Sequence, residues 1–114
     1  MPFSPTVAED LRAALLPLLQ SDEPIDEKRM FGGLALLLHG HMLSGVIDEK
    51  IVLRINPAEL GEVMGQPGVG PMDFTGRPMK GWLYLRPPAS TEDLGAHLAR
   101  GLRFVRGLPP KAAR

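Results

Sequence analysis

The stretch KRMFGGLALLLHGHMLSGVIDEKIVLRI, residues 28–55, decides the fold. It contains three apolar runs separated by short polar or glycine-bearing connections. Lys28 to Leu38 reads as extended and apolar, interrupted at Gly32-Gly33. Adjacent glycines inside a strand mark a bulge or a close approach of another backbone, so one strand with a local irregularity is expected here. His39-Gly40 supplies a tight hairpin connection, and Met42 to Ile47 returns as a second strand. Asp48-Glu49 turns the chain again before a third strand, Ile51 to Ile55. Short turns between successive strands allow only antiparallel pairing, because a parallel crossover needs a dozen residues or more.

Helices flank this meander. On its N-terminal side, Ser4-Pro5 gives a cap and a first-turn proline, and Thr6 to Glu9 has capping-box spacing. Val7, Leu11, Leu15 and Leu18 form one apolar stripe at i, i+4 spacing. Pro17 lacks an N–H and clashes with the preceding turn, so the helix should end or bend there. On the other side, Asn56-Pro57-Ala58-Glu59 combines an asparagine cap, a proline and a glutamate, predicting a short helix to about Met64, closed by Gly65. Gln66 to Pro71 reads as a Gly/Pro loop. Met72 to Phe74 and Gly81 to Arg86 read as two more strands, joined through Thr75-Gly76-Arg77-Pro78.

The last helix has the clearest pattern. Ser90 is its expected cap, with Asp93 favourably placed near the positive end of the helix dipole. Leu94, Leu98, Leu102, Val105 and Leu108 share one arc, with Phe104 and His97 on its edge. Gly101 lies in the middle of that arc, where glycine costs about 1 kcal/mol relative to alanine. Its presence predicts a helix backbone pressed closely onto the sheet. The whole order, α-β-β-β-α-β-β-α, predicts an α+β domain of two layers. A mostly antiparallel five-stranded sheet would carry helices on one face.

The 114 residues fit one domain, with a core over about 5–108 and a flexible tail over 109–114. Hydrophobic residues make up 44% and charged residues 23%, enough apolar content to fold without a metal or disulfide. The absence of cysteine excludes a thiol nucleophile, disulfides and thiolate zinc sites. No apolar run approaches the roughly 18 residues that span a bilayer, and the expected location is the cytoplasm. Net charge is zero, yet residues 1–62 hold ten acids against five bases and residues 63–114 three acids against eight bases. Such asymmetry suits either an anionic partner for the second half or the meeting of acidic and basic surfaces of two copies.

Two segments carry a resemblance. Lys28-Arg29-Met30-Phe31-Gly32-Gly33-Leu34 and Met72-Asp73-Phe74-Thr75-Gly76-Arg77-Pro78-Met79-Lys80-Gly81-Trp82, followed by the amphipathic final helix and Leu108-Pro109-Pro110-Lys111, resemble the TfoX N-terminal domain family. The resemblance covers about residues 5–111 and implies a two-layer α/β domain with an antiparallel sheet. It also implies a link to regulation, because longer relatives regulate natural DNA uptake. Those relatives carry a second, C-terminal domain not present in these 114 residues. The family brings no established catalytic residues.

Catalytic candidates are weak. Ser44 lies in a predicted strand without a Gly-rich elbow. His97 and Asp93 are one helical turn apart, a spacing typical of surface or capping contacts. Gly65 to Gly70 lacks the lysine and strand-to-helix setting of a phosphate loop. His39 and His41 offer at most two ligands across a turn, too few for a tetrahedral metal. The expectation is a chain with no catalysis, metal or cofactor.

Binding candidates are better. Arg29, Arg54, Arg77 and Lys80 could receive a phosphate or carboxylate if the sheet gathers them, with Gly32-Gly33 admitting the ligand to the backbone. Pairing with Asp26, Asp48, Glu49 or Asp73 is the alternative for these charges. Phe31, Gly32, Gly33 and Trp82, with Met30 and Met79, are either sheet-face residues or an interaction surface. Arg100, Arg103 and Arg106 form a basic helix face that could meet nucleic-acid backbone, although no interleaved aromatic platform accompanies it. An edge strand such as the last one could pair with a second copy. The leading expectation is a regulatory module acting through a protein partner and able to form a homodimer. Nucleic-acid binding and small-anion sensing are the alternatives.

Overall fold

The computed structural model describes residues 3–21, 23–30, 32–66, 68–71, 80–86 and 91–109. The chain begins with α1 (Pro5–Leu15), whose first turn is capped by Ser4: its Oγ accepts from the Val7 N–H at 3.3 Å. A 3-10 turn, Leu16–Leu18, follows at Pro17, where the sequence places the break. Four strands come next: β1 (Ile25–Met30), β2 (Gly33–Leu38), β3 (His41–Ile47) and β4 (Lys50–Arg54). A 3-10 turn, Pro57–Glu59, leads into the short α2 (Leu60–Met64). Then come β5 (Val69–Pro71), β6 (Trp82–Leu85) and α3 (Thr91–Arg106). Among the described residues, no helix is long and apolar enough to cross a membrane.

The class is α+β as expected, but among the described residues the sheet has six strands rather than five, in the order β1-β2-β3-β4-β6-β5 with every pair antiparallel. The difference arises at Gly32-Gly33. Met30 pairs with Gly33, so only two residues connect β1 to β2, and Gly32 sits at φ 75°. Gly32 therefore helps turn the chain instead of bulging it, Gly33 opens the next strand, and Lys28–Leu38 splits in two. Gly33 does show the close approach: a Cβ there would fall 2.2 Å from the Val46 carbonyl oxygen. The bulge lies elsewhere. Leu36 faces Ser44 while Leu37 faces Met42, leaving Leu43 as the extra residue of β3. Leu43 and Ser44 are both fully buried, and the Ser44 hydroxyl donates to the Val52 carbonyl at 2.6 Å.

Two further corrections concern the second half. Val69–Pro71, read from sequence as loop, is a strand against β6. β6 lies between β4 and β5, so the last strand is interior, and among the described residues β1 and β5 are the edges. The expected strand at Met72 to Phe74, the Ser90 cap and the tail beyond Pro109 lie outside the described residues.

Both long helices lie on one face of the sheet, packed against each other and against β3 and β4. The core is where their stripes meet alternate strand positions: Leu11 and Leu15 of α1, Leu98 and Leu102 of α3, and Leu36, Leu38, Leu43, Val46, Leu53 and Leu83 from the sheet. Leu36 and Leu38 follow the period of two that sends alternate side chains to the same face, while the bulge at Leu43 sets it three residues from Val46.

Candidate functional site

Among the described residues, the candidates Arg29, Arg54 and Lys80 do not gather into one cluster. Arg29 is on β1 and Arg54 on β4, three strand spacings apart, or about 14 Å at the usual separation of hydrogen-bonded strands. The register adds to this distance, since the Arg29 row runs through Leu34, Val46 and Ile51, three residues short of Arg54. Arg29 instead lies over the Phe3 ring, 5.6 Å from its centroid. Lys80 is exposed in the turn before β6, at the same end of the sheet as Arg54. Arg77 and Phe31 lie outside the described residues. Gly32 and Gly33 belong to the β1–β2 hairpin and Trp82 to β6, so these do not form one surface.

What the fold does assemble is a corner around Arg54. This last residue of β4 pairs with Trp82, the first of β6, and its guanidinium carbon lies 5.5 Å from the Trp82 ring centroid. The same carbon lies 5.4 Å from the centroid of Phe104 on α3. Arginine over an aromatic face is attracted by the ring quadrupole, by about 0.5–1 kcal/mol at exposed sites and more when water is excluded. Here the two rings come from different layers of the fold.

Local sequence explains the placement. Gly101 lets α3 sit against β4: a Cβ would meet the Arg54 carbonyl oxygen at 2.7 Å and the Leu53 Cδ1 at 2.8 Å. Phe104, less than one turn further on, is thereby brought beside the Arg54 side chain. On the other side, the Ile55 N–H donates to the Gly81 carbonyl at 2.8 Å, extending the β4–β6 ladder past Arg54. Asn56 then ends the strand by accepting from the Ala58 N–H at 3.0 Å.

The helical arginines are engaged differently. Arg100 and Arg103 both donate to Glu59, Arg103 at 3.1 Å, and Arg100 also reaches Glu62 at 3.5 Å. Arg106 grips Glu23 through two hydrogen bonds of 2.8 and 2.7 Å and reaches the Leu18 carbonyl at 2.9 Å. Those bonds, helped by the Gln20 N–H, hold the Glu23 carboxyl down at about 2 against the opposing effect of burial. Arg12 makes a bidentate pair with Glu27, both bonds at 2.7 Å. Among the described residues, Arg54 has no carboxylate partner.

The remaining chemical candidates are engaged structurally. Ser44 is sealed in the core with its hydroxyl bonded. His41 Nε2 donates to the Pro109 carbonyl, and His39 at φ 52° forms the hairpin turn with Gly40 at φ 84°. No group of three or more histidine, aspartate or glutamate side chains among the described residues could hold a metal ion. Burial, and secondarily the charge of Arg100, lowers the pKa of His97.

Sequence reading named Arg54 and Trp82 in separate sets and Phe104 only as the edge of a helical arc. The signal that joins them was present: a glycine inside an apolar helix face marks backbone contact with the sheet, and it fixes which neighbour on the helix stands over the strand end. The family model of the TfoX N-terminal domain matches residues 17–103, well over half of the chain. No curated protein and no solved structure matched. The matched segment runs from the end of the first helical region through the whole sheet into the turn of α3 that carries Gly101 and Arg103. On that match, the chain belongs to the TfoX N-terminal domain family.

Proposed function

We propose that this chain is a non-catalytic regulatory module that acts by contacting another protein, with the Arg54 corner as its anchor. The observation that supports this reading is the placement of Arg54 over Trp82 and Phe104, with no carboxylate partner among the described residues. Tryptophan and arginine are the residue types that dominate binding energy at protein interfaces. An arginine held by two rings loses little further freedom on binding, which favours it as a preorganised contact. The regulatory role follows the family, whose longer members control DNA uptake. The nucleic-acid alternative is less favoured, because Arg100, Arg103 and Arg106 already hold Glu59, Glu62 and Glu23.

The test is quantitative co-purification from the native cell extract with the tagged chain, its Trp82→Ala variant and its Arg54→Ala variant, each checked for native circular dichroism. A stoichiometric partner depleted at least tenfold by both variants is expected. Equal recovery with all three would refute the anchor, and substrate turnover by the purified chain would refute a non-catalytic role.

A further inference from the structure

The geometry points to β1 as the interface of a homodimer, in which the β1 strands of two copies pair antiparallel about a two-fold axis with Glu27 opposite its own counterpart. Among the described residues β1 is an edge of the sheet, and Asp26, Glu27, Lys28 and Arg29 along it are exposed. An edge strand leaves the outward N–H and C=O groups of alternate residues unpaired, ready for another strand. The eight residues 72–79 cannot cover them. A segment that leaves β5 and returns to β6 reaches about 15 Å when fully extended. The outer side of β1 is five strand spacings from β6, or about 24 Å.

Symmetry narrows the register. In an isologous antiparallel pair the axis is normal to the sheet, and residues opposite each other share a face. Ile25, Glu27 and Arg29 share the helix-bearing face with their partners Leu38, Leu36 and Leu34, while Asp26 and Lys28 lie on the other. The centre therefore falls on a residue and not between two. Centred on Lys28, two lysines would stand face to face. Centred on Glu27, Asp26 stands opposite Lys28 of the second copy, and Lys28 opposite the second copy's Asp26.

Charge selects the second arrangement. Neither Asp26 nor Lys28 has an ion-pair partner among the described residues, and the axis supplies one to each. The like pair at the centre is already neutralised, because Arg12 holds each Glu27 carboxylate through two bonds of 2.7 Å. Arg29 of the second copy lies diagonally across from Glu27 on the same face. Charges of one sign would guard an edge by repelling a second copy. Here the sign alternates along each face, Asp26 then Lys28 and Glu27 then Arg29, and the two-fold axis turns both alternations into opposite-sign neighbours.

Sedimentation velocity on the full chain tests this, with every variant checked for native circular dichroism. A monomer–dimer equilibrium between about 1 μM and about 1 mM is expected, since one strand pair buries less than a standard interface. Asp26→Lys opposes two cations on each side of the axis, and Lys28→Asp opposes two acids. Each alone should weaken dimerisation about tenfold or more. The two single variants mixed should form a heterodimer, and the double swap Asp26→Lys, Lys28→Asp should dimerise like the wild type, because both restore opposite signs in the same register.

A wild-type chain that stays monomeric, as it would if its own residues 110–114 took the edge, would overturn the interface. So would dimerisation indifferent to both single variants, or weakened by them with no recovery in the mixture and the double swap. Arg54 is three strand spacings away, so either outcome leaves the reading of that corner as it stands.

Discussion

A methyl group at Gly101 would land 2.7 Å from the Arg54 carbonyl oxygen and 3.1 Å from the Leu43 Cδ1. Backbone oxygen cannot rotate away, so either α3 lifts from β4 or the strand end shifts. Alanine would gain about 1 kcal/mol of helix propensity, but overpacking typically costs about 1–3 kcal/mol. Gly101→Ala should therefore lower stability overall, seen as a lower urea midpoint, and should also disturb Trp82 emission through the shifted Phe104. Glu23 makes a second prediction at this scale. Its folded carboxyl titrates near 2, below the ordinary 4.5, so its stabilising effect is complete above about pH 4.5 and is lost as pH falls towards 2. Glu23→Gln should be less stable than wild type at pH 7, and urea midpoints of the two should converge between pH 4.5 and 2. A constant gap across that range would show that Arg106 does not bind the ionised form preferentially.

At the scale of elements, α1 depends on its start. Ser4 caps it through the Val7 N–H while its own N–H donates to the Asp48 carbonyl at 2.7 Å, tying the helix to the β3–β4 turn. Ser4→Ala removes only the side-chain bond, so it should cost about 1 kcal/mol, readable as a drop in thermal midpoint with the sheet signal intact. That cap was legible in the sequence, as were α3, the β3 and β4 strands and the break at Pro17. Each depends on local chemistry within a few residues: a cap, an apolar period, a missing N–H. The extra strand was not legible, because two glycines between apolar runs serve equally as a turn or a bulge. Only pairing of Met30 with Gly33 decides between them. The bulge at Leu43 has no signal of its own, since a leucine and a serine in succession look like ordinary strand. The Arg54 corner was legible in its parts and not in its assembly. Strand order is non-local: only the pairing of β4 with β6 sets Arg54 beside Trp82.

At the scale of the molecule, the α3 arginines offset part of the uneven charge along the chain. Glu59 and Glu62 from the acidic half meet Arg100 and Arg103 from the basic half, and Glu23 meets Arg106. A helix face whose arginines are already neutralised releases few counterions from DNA, and counterion release supplies most of non-specific affinity. The chain should therefore show little binding to duplex DNA by fluorescence anisotropy near physiological salt. Any binding at low salt should have a shallow logarithmic salt dependence, equivalent to one or two phosphates at most. The Glu59→Gln, Glu62→Gln double variant sharpens the argument, because it frees Arg100 and Arg103 without adding a base. It should bind duplex DNA more tightly than wild type, with the salt slope steeper by about two phosphates' worth. Strong, steeply salt-dependent binding by the wild type, abolished by Arg103→Ala, would show instead that Glu59 yields its arginines to phosphate.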